Sequence, residues 1–271
     1  MTKKSLLTDL VALLDPLAEA GVQIGLPDLL MLAASFLKKL CLYEENTAEV
    51  RALGLVTRLG PLLPCSHAPV VNATLRLLFN LSFDIETREQ MLQGGLVPRL
   101  IALLSTPSYR SRALKLLYHL SQDDRCKAEF ARPLAAGGTG AAILTGLVVN
   151  FPQATLPAEL GSLAVNVSLV PLCAELMAAS KGLSLLVDRL TSGELAAGSA
   201  SPVKGKAKSG PPGLDIYLLK IIRNIAMGSY RLQQRQQSSR SGLQTPVVSI
   251  HTLHSILIHL THLFTTYNYL P

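Results

Sequence analysis

Tryptophan is absent from this 271-residue chain, and aromatic residues make up only 5% of it. A chain so short of aromatic platforms is poorly suited to stacking unpaired bases, which argues against single-stranded nucleic acid as a partner. Charge is scarce as well: 16% of residues are Asp, Glu, Lys or Arg, where an ordinary soluble domain has roughly 25%. Stacked repeats or a partner must therefore cover part of the surface. The four cysteines, Cys41, Cys65, Cys126 and Cys173, lie far apart with no C-x-x-C pair. That excludes a small disulfide scaffold and a zinc ribbon, and leaves buried thiols in a reducing compartment. The first fifteen residues lack the unbroken apolar stretch and small-residue cleavage site of a signal peptide, so a cytosolic chain is expected.

What charge there is sums to +7, and its location matters more than its size. Lys204, Lys206, Lys208, Lys220, Arg223, Arg231, Arg235 and Arg240, set against Glu194 and Asp215, supply +6 of it between Ser192 and Pro246. A basic linker attracts acidic surfaces without choosing among them, so the high isoelectric point is weak evidence for specific nucleic-acid binding.

Apolar residues are abundant, at 49%, and their spacing is helical. Leu29, Leu30, Leu32, Ala33, Phe36, Leu37, Leu40 and Cys41 recur at three- and four-residue steps, predicting one broad helix face. Similar stripes run through 70–82, 96–104, 111–121, 160–169, 182–190 and 215–226, with no strand alternation and no hairpin dipeptide. The fold class is all-α. The stripes also repeat. Asn80-Leu81-Ser82, His119-Leu120-Ser121, Asn166-Val167-Ser168 and Asn224-Ile225-Ala226 each close a Leu-rich helix, with Lys39 at the equivalent place in the first. The intervals between these positions are 41, 39, 47 and 58 residues, and the first two match the armadillo and HEAT period of about 40–47. Gly94-Gly95 before Leu-Val-Pro-Arg-Leu reads as the turn inside an armadillo unit. About five units are expected between residues 1 and 228, with a disordered Gly/Ala/Ser/Pro/Lys insertion at 192–213. A disordered basic, Gln/Ser-rich linker at 229–246 and a divergent apolar, His-rich tail at 247–271 follow.

Several strings go beyond the general repeat. They are Ser35-Phe36-Leu37-Lys38-Lys39-Leu40, Thr74 to Asp84, Leu117-Tyr118-His119-Leu120-Ser121-Gln122-Asp123-Asp124-Arg125, and Leu219 to Ile225. In this order and spacing the chain resembles the kinesin-associated protein family, the non-motor accessory subunits of heterotrimeric kinesin-II, over roughly 26–227. That family is longer on both sides, so the chain reads as a partial one. Residues 136–153 and 192–213 depart from its pattern, and the likeness stops after Met227. The resemblance implies an adaptor that binds the tails of two motor chains and links them to cargo or cargo adaptors. It further implies a cytoplasmic, cytoskeleton-associated protein of cilia and flagella, with no enzymatic activity and no cofactor.

An armadillo array binds segments along the concave surface lined by each third helix, using repeated Asn and basic side chains. Asn80, His119, Asn166 and Asn224 are the candidate ladder, either touching a partner or holding neighbouring turns. Lys39, Arg76 and Arg223, with Lys38, are the candidate charges toward an acidic tail. Asp123-Asp124-Arg125 lacks a partner carboxylate or His–Cys pair for acid–base work and reads as a helix cap. Ser82 and Ser121 lack nucleophile-elbow surroundings, and the Gly pairs lack the Lys-Ser/Thr of a nucleotide loop. His251, His254, His259 and His262 have no Cys or acid beside them to complete a metal site. The 247–270 segment is about long enough to span a membrane, but its imidazoles favour a poorly packed or non-coding-derived tail. Two other readings remain: a general armadillo peptide-binding scaffold or regulatory subunit, and a membrane-anchored armadillo protein.

Overall fold

The computed structural model describes residues 3–14, 27–153, 156–179, 181–198 and 215–238. Among these there is no strand, only one isolated bridge between Pro133 and Thr139. The helices are α1 (Lys3–Ala12), α2 (Pro27–Leu40), α3 (Thr47–Ala52), α4 (Leu55–Leu59), α5 (Ala68–Leu81), α6 (Ile85–Gln93) and α7 (Leu96–Leu103). They continue with α8 (Pro107–Leu120), α9 (Asp124–Glu129), α10 (Gly140–Val149), α11 (Ala158–Ser168), α12 (Pro171–Ala178), α13 (Gly182–Gly198) and α14 (Ile216–Ser238). The chain divides into two compact units, Met1–Glu129 with Leu134–Gly137, and Phe130–Pro133 with Gly138–Pro271.

In the first unit the third helix of each repeat has one design. α2, α5 and α8 are each 14 residues long and carry Pro27, Pro69 and Pro107 in their first turn. Proline is tolerated there because its missing N–H had no intrahelical partner. The three helices pack side by side, α2 on α5 and α5 on α8. Leu75, Leu77 and Leu78 of α5, and Leu116 and Leu117 of α8, are fully buried. Each such side chain contributes about 1.5–3 kcal/mol relative to exposure. The broad stripe expected on α2 is split. Leu30, Ala33, Ala34 and Leu37 face the interior at the i, i+3, i+4, i+7 spacing, while Leu29, Leu32 and Phe36 are exposed. The second set is shifted by one residue, about 100° around the helix, and so leaves the packed face.

The connection between first and second helices is equally regular. Gly54 and Gly95 take φ of 63° and 67° just before α4 and α7, a left-handed conformation that a Cβ would strain. Asp84 caps α6, accepting the Thr87 backbone N–H at 2.8 Å and its hydroxyl at 2.7 Å. Long arginines close the other ends. Arg88 donates to the Ser82 carbonyl at 2.8 Å after α5, and Arg110 to the Leu104 carbonyl at 2.8 Å after α7. Each gives an orphan helix-end carbonyl a cationic partner.

The second unit uses the same devices on a different sequence. The Gly- and Val-rich stretch forms α10, capped by the Thr139 hydroxyl and buried through Ala141, Leu144, Thr145 and Val148. It showed no stripe because its outward positions are apolar too. Arg189 of α13 reaches back to the carbonyls of Val149, Phe151 and Gln153 at 3.0, 2.6 and 2.5 Å. Asp215, 5% exposed, caps α14 through the Tyr217 N–H at 2.9 Å and ties down the Leu156 N–H at 2.7 Å. α14 crosses α11 closely: a Cβ on Gly161 would fall inside the Tyr217 ring. Helix α13 continues to Gly198 and α14 to Ser238, entering the segments expected as insertion and linker. The rest of 192–213 and 229–246, and all of 247–271, lie outside the described residues.

Candidate functional site

The ladder positions share one register in the first unit. Lys39, Asn80 and His119 are the penultimate residues of α2, α5 and α8. His119 shows what one of them does there. Ser82, fully buried just past α5, donates its hydroxyl proton to the Phe79 carbonyl at 2.7 Å. Its oxygen also lies 2.7 Å from Nδ1 of His119. A hydroxyl has one proton, so His119 must donate through Nδ1–H and Ser82 accept. The imidazole also lies against Phe83 and Phe79, with ring centres 4.6 and 6.1 Å away. Burial, then the neighbouring Arg88 charge, lowers its pKa from the ordinary 6.5 and favours the neutral ring.

The second unit repeats the rung with a different donor. Ser168 donates to the Val165 carbonyl at 2.8 Å, and the Asn224 amide donates to the Ser168 hydroxyl oxygen at 3.0 Å and to the Val165 carbonyl at 3.3 Å. His119 and Asn224 thus tie one third helix to the end of the preceding one. Asn166 is half-buried on α11, and Arg223 is exposed on α14 beside Asn224. Asn80 lines a groove of about 490 Å³ with Cys41, Leu42, Arg51, Phe83 and Asp84. Lys39 is exposed at the end of α2.

A second groove, about 510 Å³, runs along the third helices nearer their start. Met31, Leu32, Ser35 and Lys38 of α2 form one wall, and Pro69, Asn72, Ala73 and Arg76 of α5 the other. Arg112 of α8 reaches across, its guanidinium donating to the Asn72 side-chain oxygen at 2.9 Å. Asp28 is the sole acid in the lining, against three cations. Arg76 and Lys38 were legible in sequence as candidate charges; Arg112 was not. It sits one residue past the register equivalent of Asn72, so counting by repeats passes over it, and only its length brings it into the groove.

Other chemistry-bearing groups are tied up in the fold. Burial pushes the Cys41 and Cys126 thiols up to about 12 and Cys173 to about 11, so all three stay protonated at neutral pH. Asp123 accepts the Arg125 backbone N–H at 2.8 Å and its side chain at 2.7 Å, capping α9. Arg125 also grips Glu89 of α6 at 2.6 and 2.7 Å, which holds that carboxyl below its ordinary pKa of 4.5. Asp84 is likewise lowered: burial opposes this, but Thr87, Arg51 and Arg88 outweigh it. Among the described residues no three His, Cys, Asp or Glu side chains gather as a metal site. Nor, among them, is any single helix long and apolar enough to cross a membrane. The four tail histidines lie outside the described residues.

Comparison with solved structures gives the fold. Two designed armadillo repeat proteins superpose with TM-scores of 0.54, each over 84% of this chain and 87% of theirs, at 15% and 16% identity. One of the two was solved in complex with the peptide (KR)4. An engineered protein superposes with a TM-score of 0.57 at 17% identity, over 84% of this chain and 51% of its own. The architecture is an armadillo-type α-solenoid. In sequence, the family model described as kinesin-associated protein matches residues 17–193, well over half of the chain. The matched span contains the first four ladder positions, Lys39, Asn80, His119 and Asn166, and the whole groove that Arg112 closes. This armadillo chain belongs to the kinesin-associated protein family.

Proposed function

We propose that the chain is a non-catalytic adaptor of a heterotrimeric kinesin. Its third-helix face binds the tails of the two motor chains, and other surfaces recruit cargo or cargo adaptors for microtubule-based, intraflagellar transport. It acts in the cytoplasm, at the cytoskeleton and in cilia. The observation that carries this reading is the cationic groove of Lys38, Arg76 and Arg112, which lies on the third-helix face within the span matched by the family. Side chains facing out at successive repeats each add a few contacts, and the stacked helices hold them in register. In the first unit Lys39 and Asn80 add to this face, while His119 acts mainly by fixing the spacing of α5 and α8. In the second unit Asn166 and Arg223 are the corresponding candidates, and Asn224 acts as His119 does.

The test is a pull-down of the full chain with the co-expressed tails of both motor chains at physiological salt. Retention of both tails, weakened by Arg76→Glu, is the expected result. Loss of both tails from a helical, cooperatively melting protein overturns the reading.

A second reading, a general peptide-binding scaffold, draws on the (KR)4 complex of the designed armadillo protein. The sign of charge separates the two. Lys38, Arg76 and Arg112 would repel a basic peptide, so a (KR)4 peptide should not bind here, and its tight binding would favour the general scaffold.

A further inference from the structure

We infer that the groove between α2, α5 and α8 seats a short acidic segment carrying aliphatic side chains among its carboxylates. The inference rests on the adaptor reading for its biological partner, though not for its chemistry. Lys38, Arg76 and Arg112 point three cations at a space whose lining holds a single carboxylate, Asp28. None of the three has a carboxylate partner among the described residues. Arg112 is already held by the Asn72 oxygen, so its planar fork is oriented before a ligand arrives. Two guanidinium groups and one ammonium suit carboxylates, which accept a guanidinium's two parallel N–H bonds.

Charge is half of the complementarity. Leu32 is 52% exposed and Met31 37%, on the same wall as Lys38. With Pro69 and Ala73 opposite, they form an apolar strip beside the cations. A purely anionic chain leaves that strip against water, whereas Leu or Ile side chains set among acids would cover it. A nucleic-acid strand fits less well: it offers phosphates to the cations, yet the lining contains no aromatic ring on which a base could stack. A volume of about 510 Å³ accommodates a few side chains of a passing segment. The occupant is therefore a peptide of mixed acidic and aliphatic character.

Fluorescence anisotropy with the full chain tests this, using four labelled probes at physiological salt. They are a synthetic peptide of repeating Glu-Glu-Leu, its Lys-Lys-Leu counterpart, an all-Glu peptide of equal length, and oligo-dT. The Glu-Glu-Leu peptide should bind, the all-Glu peptide more weakly, and the Lys-Lys-Leu peptide not at all. Arg76→Glu with Arg112→Glu should weaken binding by roughly tenfold or more, and Leu32→Ser by several-fold. Arg76 and Leu32 are exposed and Arg112 is half-buried with one side-chain hydrogen bond, so far-UV circular dichroism should show both proteins folded. The single Arg76→Glu variant, which leaves the Arg112–Asn72 bond intact, should weaken binding in the same direction. Equal binding of the Lys and Glu peptides, indifference to the variants, or preference for oligo-dT overturns the inference. If the Glu-Glu-Leu peptide binds as described while the motor tails do not, the adaptor reading fails alone. If the tails bind and Arg112→Glu leaves them undisturbed while the peptide fails, the groove inference fails alone.

Discussion

Removing the Ser82 hydroxyl tests whether the penultimate residue of a third helix holds its neighbour. The hydroxyl makes two short bonds, donating to the Phe79 carbonyl and accepting from Nδ1–H of His119. Each is worth about 0.5–1.5 kcal/mol net. In Ser82→Ala the Phe79 carbonyl keeps the Ser82 backbone N–H at 3.2 Å, and the half-exposed imidazole can turn to water. The net cost should therefore be about 1–2 kcal/mol rather than the full burial penalty. His119→Phe removes the nitrogen but keeps ring contact with Phe83, and should cost about 1 kcal/mol for the same bond. In the double variant that bond is lost once, so the two single effects should exceed the double by about 1 kcal/mol. Urea unfolding followed by far-UV circular dichroism measures it, since no tryptophan is present to report by fluorescence. Strict additivity of the two substitutions would refute the rung.

The same histidine sets a pH dependence. Its folded pKa lies below the ordinary 6.5, so the unfolded chain binds more protons between the two values. Its contribution to stability is complete above about pH 6.5 and lost as pH falls through the folded pKa. His119→Asn should flatten stability in that window, while losses from Asp84, Glu89 and Asp123 follow at lower pH. Leu77 is fully buried, so Leu77→Asp sacrifices about 2–3 kcal/mol of burial and adds an unpaired carboxylate, which should abolish cooperative melting of the first unit. Undiminished melting of that variant would contradict the packing described for α5. Gly161→Ala drives a methyl into the Tyr217 ring and should destabilise by about 1–3 kcal/mol despite alanine's better helix propensity. Tyr217→Ala in the same chain should recover part of the loss, and a Gly161→Ala protein as stable as the parent would refute the close crossing.

Repetition makes the array readable from the sequence, because a solenoid writes the same helix several times. A Leu-rich centre and a polar-Leu-Ser close recur at α5 and α8, so their C-terminal ends and register followed from counting. α10 and the first turn of α8 were not legible for opposite reasons. Gly140–Val149 is apolar on all sides and shows no stripe, and Pro107-Ser-Tyr-Arg shows too little apolar content to extend one. The site was read less completely than the fold. Position 119 stood out as a ladder residue, but whether its nitrogen turns outward or toward Ser82 depends on a neighbour 37 residues away. No local pattern encodes that distance.

The rungs change where recognition should be sought. His119 and Asn224 direct donors inward, to the hydroxyl that closes the preceding third helix. One turn earlier on the same helix face, four residues upstream of Asn80, His119 and Asn224, stand Arg76, Lys115 and Lys220, all exposed. Residues at i and i−4 share a face, so within each unit one position can hold neighbouring repeats together while the next is left to meet a partner. This division of labour predicts a separation of effects. Arg76→Glu should lower motor-tail retention with the urea midpoint unchanged, because an isolated exposed charge carries about 0–1 kcal/mol of stability at most. His119→Ala should lower the midpoint first, and retention only to the extent that α8 moves. If both variants instead shift midpoint and retention in fixed proportion, binding merely reports folding, and the two rows have no separate roles.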